Sequence, residues 1–281
     1  MNAGKKLILG GAQIGQDYGV VRKTSFSGSG GIQKLLDTAK SVGFAAIDTA
    51  RTYGRSENLL GEHFWDGQFH TKLDERTDPS RSLCNSLEAL KIDSVDLLYV
   101  CHDASRVSDT SRDYWAPHLM ELGARAREIG VAIYSDQLDF PLLEFAEIQT
   151  IQVPLNILTS SVTRQRVSDL RRMGKRINAR SIFAQGLLLN DPHERVEPGV
   201  ARSIQAFQEV ARSLDLDSAE LAFRWALTYP EIDGVIMGVG QLEELDYVKR
   251  WCDIGPLAKE EFAYVEAALG GFRQDIDLRK I

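Results

Sequence analysis

Short apolar runs recur along the chain at intervals that each leave room for a helix, and this alternation restricts the fold more than any other feature. The runs at residues 7–9, 45–47, 69–72, 95–100, 131–134, 150–153, 177–182 and 234–237 are β-branched or apolar and of strand length. Between them apolar side chains recur at helical spacing. Leu83, Leu87 and Leu90 form one stripe, Leu119, Leu122, Ala126 and Ile129 a second, and Val200, Ile204, Phe207, Ala211 and Leu214 a third. Gly43, Gly130 and Gly174 stand where a glycine closes a helix. Phe262, Val265 and Leu269 predict one more helix after the last unit. Eight strand–helix units belong to the α/β class and close as a (β/α)8 barrel of the TIM type. The 281 residues fit one such barrel, which needs about 250. The expectation is therefore a single domain over residues 1–281.

In such a barrel the C-terminal ends of the strands share one face, and polar residues there meet in space. Asp48 ends the second run, Lys72 the third, and His102 follows the fourth, while Tyr53 comes five residues after Asp48. A free tyrosine titrates near pH 10, too high for proton shuttling at neutral pH, and an adjacent ammonium favours the phenolate. Lys72 is the candidate for that charge, and Asp48 for the anion that keeps a buried ammonium protonated. A histidine at the same mouth can hold a carbonyl oxygen in line with the phenol. The set suits carbonyl reduction or alcohol oxidation.

The segment Asp48-Thr49-Ala50-Arg51-Thr52-Tyr53-Gly54-Arg55-Ser56-Glu57-Asn58-Leu59-Leu60-Gly61 resembles the motif around the catalytic Asp and Tyr of the aldo-keto reductases, and Lys72 and His102 fall where that family has its Lys and His. The likeness extends over most of the chain. Leu7 to Gly15 resembles the first strand and its glycine turn, Ser135-Asp136 the pair after strand five, and Gln152 to Asn156 the sixth strand. Ser181 to Leu188 resembles the phosphate-contacting loop after strand seven, with Leu221 to Leu227 and Ile236 to Gly240 matching the last helix and strand.

The resemblance implies a nicotinamide cofactor, NADP(H) or NAD(H), lying across the mouth. Ser135, Asp136 and Gln152 match the positions that hold its carboxamide. Asp136 replaces the usual Asn, and a carboxylate accepts hydrogen bonds without donating any. The pyrophosphate is expected on the loop around Ser181, Phe183 and Gly186 and on the turn at Gly238. Arg180 stands where the family commonly stacks an aromatic ring, and a guanidinium there can stack or grip an anion. The turn after Gly238 reads Val239-Gly240-Gln241-Leu242-Glu243-Glu244 and lacks the basic residue that usually pairs with a 2′-phosphate, which leaves NAD open. Gly240, Gln241 and Glu244 are the expected contacts for the adenosine end, with Lys249 and Arg250 within reach of a phosphate.

Other classes fit less well. The net charge of −7 disfavours a nucleic-acid-binding surface. The basic stretch Arg164, Arg166, Arg171, Arg172, Lys175, Arg176 and Arg180 alternates with Val167, Leu170 and Met173, and reads as the solvated face of an amphipathic helix. His63, His70, His118 and His193 show no metal-ligand spacing, and Cys84, Cys101 and Cys252 form no CxxC pair, so no metal site is expected. No apolar run approaches the roughly 20 residues that span a bilayer, and a cytoplasmic protein is expected. The partner is a small-molecule carbonyl or alcohol, with Tyr18, Arg51, Tyr134 and residues 103–106 as pocket candidates. Residues 11–19, 102–104 and 180–186 are similar to a bacterial branch associated with surface-polysaccharide or sugar pathways, which implies a sugar-like carbonyl or polyol. The alternative from another class is a non-catalytic redox sensor that binds a dinucleotide on the same barrel. An intact Asp, Tyr, Lys and His set is superfluous for that role.

Overall fold

The computed structural model describes residues 6–16, 29–101, 103–190, 196–277 and 279. His102, Tyr18 and His193 lie outside them. Eight parallel strands close a barrel in sequential order: β1 (Lys6–Gly10), β2 (Phe44–Asp48), β3 (Gln68–Lys72), β4 (Leu97–Tyr99), β5 (Ile129–Ala132), β6 (Ile148–Pro154), β7 (Arg176–Arg180) and β8 (Gly234–Gly238), with β8 pairing back onto β1. This is the predicted (β/α)8 architecture. No described helix is long and apolar enough to cross a membrane.

Period-two alternation sorts each strand into an outer and an inner row. Leu7, Leu9, Ile47, Leu98, Val131, Ile151, Val153, Ile177, Ala179 and Val235 point outward and join one large apolar cluster with the helices. Ile8, Ala46 and Ile236, and separately Leu97, Tyr99 and Ala132, pack inside the barrel. Polar residues share that interior. Asn178 donates to the Tyr99 hydroxyl at 2.9 Å across the lumen. His70 lies deeper, where burial pushes its pKa down to about 4, so the imidazole is neutral at ordinary pH.

Three expectations need correction. The predicted stripe ending at Ile129 and Gly130 is not one helix: the helix Arg112–Gly123 stops earlier, Ala126 bridges to Val95, and Ile129 and Gly130 lie in β5. Gly130 is required by packing rather than by helix termination, because a Cβ there would collide with the Thr150 carbonyl and press on the Tyr99 ring. The connection from β5 to β6 contains no α-helix, only the 3-10 turns Ser135–Gln137 and Pro141–Glu144.

The third correction concerns the basic stretch. The helix Ser161–Arg172 exists, but two of the predicted solvated cations are buried. The Arg164 side chain, 8% exposed, pairs with Glu266 at 2.9 Å. Its guanidinium donates to the Thr159 and Ile157 carbonyls and lies over the Trp225 and Tyr229 rings at 4.9 and 5.0 Å. Lys175 donates to the Phe145 and Ile148 carbonyls, both at 2.7 Å. The sequence pattern is that of a surface helix, yet backbone carbonyls and aromatic faces compensate these charges inside. Replacing Arg164 by Ala strands two buried carbonyls and leaves Glu266 with only Arg273 and the Trp225 indole, and is expected to cost about 3 kcal/mol in a urea unfolding titration. A loss below 1 kcal/mol would show that the network is dispensable.

Candidate active site

The inner rows of β2, β3, β6 and β7 end at the same rim with Asp48, Lys72, Gln152 and Arg180. The Lys72 ammonium, its side chain 1% exposed, donates to Asp48 Oδ2 at 2.6 Å and to the Thr49 carbonyl at 2.9 Å. Gln152 reaches across the lumen and donates to Asp48 Oδ1 at 2.7 Å. Asp48 thus receives one donor on each oxygen. Lys72 Nζ lies 5.0 Å from the centroid of the Tyr53 ring and 5.4 Å from that of Tyr99.

Tyr53 is held by the loop after β2, and the rest of its motif explains how. Thr49 Oγ1 donates to Ser56 Oγ, which donates in turn to the Gly11 carbonyl on the neighbouring strand connection. The Ser56 N–H binds the Tyr53 carbonyl at 2.9 Å and starts the helix Ser56–Gly61. Glu57 accepts from Thr71 Oγ1 at 2.7 Å and from Arg51 at 2.6 Å. Arg51 was expected as a possible anion grip. Its charge is instead taken by Glu57, and it braces the loop.

The phenol does not follow the expected electrostatics. Burial, and after it the Asp48 carboxylate, push the Tyr53 pKa well above the ordinary tyrosine value, while Arg180 pulls it partly back and Tyr134 adds a smaller upward push. Lys72 was expected to lower it. The ammonium is ion-paired with Asp48 at 2.6 Å, and the carboxylate of that pair raises the phenol's pKa.

Asp48, Tyr53 and Arg180 open into a cavity of about 540 Å³, a size suited to a small organic cofactor. The loop after β7 forms one wall through Ser181, Phe183 and Gly186, with Ser181, Ala184 and Gln185 at φ of 57°, 48° and 57°. Left-handed backbone at three non-glycine residues costs on the order of 1–3 kcal/mol each. Gly186, at φ 97°, completes the turn, whose Ala184 and Gly186 N–H groups donate back to the Ser181 and Phe183 carbonyls.

The turn after β8 forms the opposite wall. A Cβ at Gly238 would run into Gln13 Oε1, itself a buried oxygen with no hydrogen-bond partner among the described residues. Glu244 lines the far end and accepts from the Gly240 N–H at 2.9 Å. The cavity's size, its glycine-bearing walls and the orphan Gln13 acceptor are compatible with a dinucleotide.

Several expected residues stand elsewhere. Asp136 ion-pairs with Arg279 at 2.8 Å and, with Ser135, is not among the residues that line the cavity. Gly240 and Gln241 also stand back from it, and Gln152 acts through Asp48. Sequence reasoning missed Asp217 and Ala219 at the start of the helix Ser218–Thr228, and Tyr247 and Trp251 on the helix Glu243–Ile254. Tyr247 and Trp251 recur at one helical turn and are legible as a face, though nothing in that spacing says what the face covers.

Residues 6–269 match the model of the aldo/keto reductase family. No curated protein sequence matches the chain at a significant level. Among solved structures, the chain is similar to the holo form of the aldo-keto reductase AKR11C1 from Bacillus halodurans, with 18% identity, TM-score 0.76, and coverage of 94% of this chain and 92% of that one. The apo form of the same protein gives 19% identity and TM-score 0.72, over 86% and 87% of the two chains. With the barrel closed and the family model spanning nearly all of it, this chain belongs to the aldo/keto reductase family.

Proposed function

We propose that this chain interconverts a small carbonyl compound and its alcohol with NAD(H) as the favoured cofactor, Tyr53 serving as the proton donor in the direction of reduction. Membership of the family implies NAD(P)-dependent carbonyl reduction. The observation that carries the finer reading is the phenol itself, facing a cofactor-sized cavity beside a buried Asp48–Lys72 pair. The bound nicotinamide supplies hydride to the carbonyl carbon. Tyr53 gives its proton to the carbonyl oxygen as negative charge develops there. Lys72, fixed by Asp48 and the Thr49 carbonyl, holds a positive centre against the ring and stabilises the phenolate left behind. His102 is assigned to orient the carbonyl oxygen. Ser181, Phe183 and Gly186 are assigned to the cofactor's pyrophosphate wall, with Gln13 and Gly238 opposite.

The reading for NAD(H) rests on the far end of the cavity. Asp217 and Glu244 line it, and the helix that starts at Glu243 already carries Glu243, Glu244 and Asp246 in its first turn. Those carboxylates satisfy the helix N-terminus and repel a further dianion. Lys249 is paired with Asp253 at 3.0 Å. NADH is therefore expected to bind at least tenfold more tightly than NADPH in a fluorescence titration at low salt. Tighter binding of NADPH would mean that Arg250, which lies over the Tyr247 ring, turns toward the phosphate.

Replacing Tyr53 by Phe keeps the ring and removes the proton. Turnover of an aldehyde followed at 340 nm is expected to fall about 100- to 10,000-fold while NADH affinity is retained. Turnover within fivefold of the wild type would remove Tyr53 from the role.

The raised pKa sets a pH dependence with a definite sign. Reduction needs the protonated phenol, and a pKa above the ordinary value keeps it protonated through pH 10. The reduction rate under saturating NADH is expected to stay level from pH 7 to 10. A decline with its midpoint near pH 8 would show instead that the Lys72 field prevails once substrate is bound.

A further inference from the structure

We infer that Arg180 is a substrate-recognition residue and that the substrate carries a carboxylate in addition to its carbonyl. This deepens the proposed function and rests on it, because it names the substrate class of the same cavity.

Arg180 is the only lysine or arginine among the described residues that line the cavity, and it forms no ion pair among them. Most other buried or half-buried cations of this barrel are spent. Lys72 is taken by Asp48, Arg51 by Glu57, Arg164 by Glu266 and Arg171 by Asp233. Among the described residues Arg180 has only neutral partners. One N–H donates to the Ile133 carbonyl at 3.2 Å, and the guanidinium carbon lies over the Tyr134 ring at 4.5 Å. Those two contacts fix the plane of the guanidinium and leave its remaining donors unclaimed by any described carboxylate. An unneutralised cation in a partly dry cavity is unfavourable unless an anion arrives.

The position says which anion. Arg180 acts electrostatically on the Tyr53 phenol and shares its cavity, so a group bound to it lies near the reacting carbon. The wall assigned to the pyrophosphate begins one residue later, at Ser181. Arg180 carries one positive charge, which a single carboxylate balances, and a planar fork matches a carboxylate with two parallel hydrogen bonds. Arg51 and its carboxylate partner show the alternative that this site avoids: a braced, neutral pair with no capacity for ligand.

The test compares two unreactive six-carbon polyols, D-gluconate and sorbitol, which differ in having a carboxylate or a hydroxymethyl at one end. Each is titrated into the protein saturated with NADH, and binding is read from tryptophan fluorescence, Trp251 being part of the cavity wall. Gluconate is expected to bind at least tenfold more tightly than sorbitol. Arg180→Gln should erase that preference, and Arg180→Lys should keep part of it. In turnover, the ratio of kcat/KM for D-glucuronate over D-glucose should fall on the order of 10- to 100-fold in Arg180→Gln. Circular dichroism of both variants reports folding, and Arg180→Lys preserves the charge where Arg180→Gln is unstable. Equal binding of the two polyols by the wild type would overturn the inference, as would a preference that survives Arg180→Gln. A loss of NADH affinity in that variant matching the loss of gluconate would assign Arg180 to the cofactor and also overturn it. Failure of the oxidoreductase reading looks different: the wild type would not bind NADH at all, and the gluconate comparison, run without NADH, would still decide the anion site.

Discussion

The arrangement at the barrel mouth hangs on one buried ion pair, Lys72 with Asp48. Taking both charges out of water costs several kcal/mol per ion, and the attraction at 2.6 Å is helped to offset that by further hydrogen bonds to both partners. The Thr49 carbonyl takes a second ammonium proton, and Gln152 fills the second carboxylate oxygen. These partners come from β2, β3 and β6, so the pair is correct only when the barrel has closed with its registers in place. A side-chain contact local to the site therefore tests the whole topology. The pair also determines what Lys72 can do. A lysine whose charge is matched within 3 Å is fixed in place, here with its ammonium 5.0 Å from the centre of the Tyr53 ring.

The features legible in the sequence are those that depend on period and on short-range motif. The apolar runs placed Asp48 and Lys72 at strand ends, where the structure has them, whereas Gln152 came from the family resemblance. The loop motif from Asp48 to Gly61 was legible as a unit, since Ser56 and Glu57 form their bonds within it or to the adjacent strand. What escaped was set by partners distant in the chain. Arg164 and Lys175 read as surface charges because the carbonyls and rings that receive them lie on other elements. Gly130 read as a helix stop because the Tyr99 ring that needs its missing Cβ comes from the neighbouring strand. Asp136 was expected at the cofactor, and its partner Arg279 is 143 residues away.

The walls of the cavity divide the labour between strain and fit. The loop after β7 keeps three non-glycine residues left-handed within five positions, a cost that the packed residues Ile182, Ala184, Leu187 and Leu188 sustain by anchoring the loop between helices. Such backbone is ordered before any ligand arrives, so less conformational freedom is lost on binding. The opposite wall, at Gln13 and Gly238, is built by omission: the absence of a side chain at Gly238 makes room for the Gln13 amide, which packs against the backbone there.

On the proposed reading, Arg180 links substrate binding to the proton that the reaction consumes. In the free cavity its charge opposes the burial and the Asp48 field that hold the Tyr53 phenol protonated. An anion bound to the guanidinium cancels that opposition, and the closing of the cavity removes water from the phenol as well. Both changes raise the cost of a phenolate in the ground state, so the acid is most firmly protonated when its substrate is in place. The cost reverses only as the carbonyl oxygen gains negative charge, when the proton is drawn to it and the Lys72 ammonium stands 5.0 Å from the ring that has lost it. A site organised in this way does not need a phenol that ionises readily. It needs one that stays neutral until the oxygen before it becomes the stronger base.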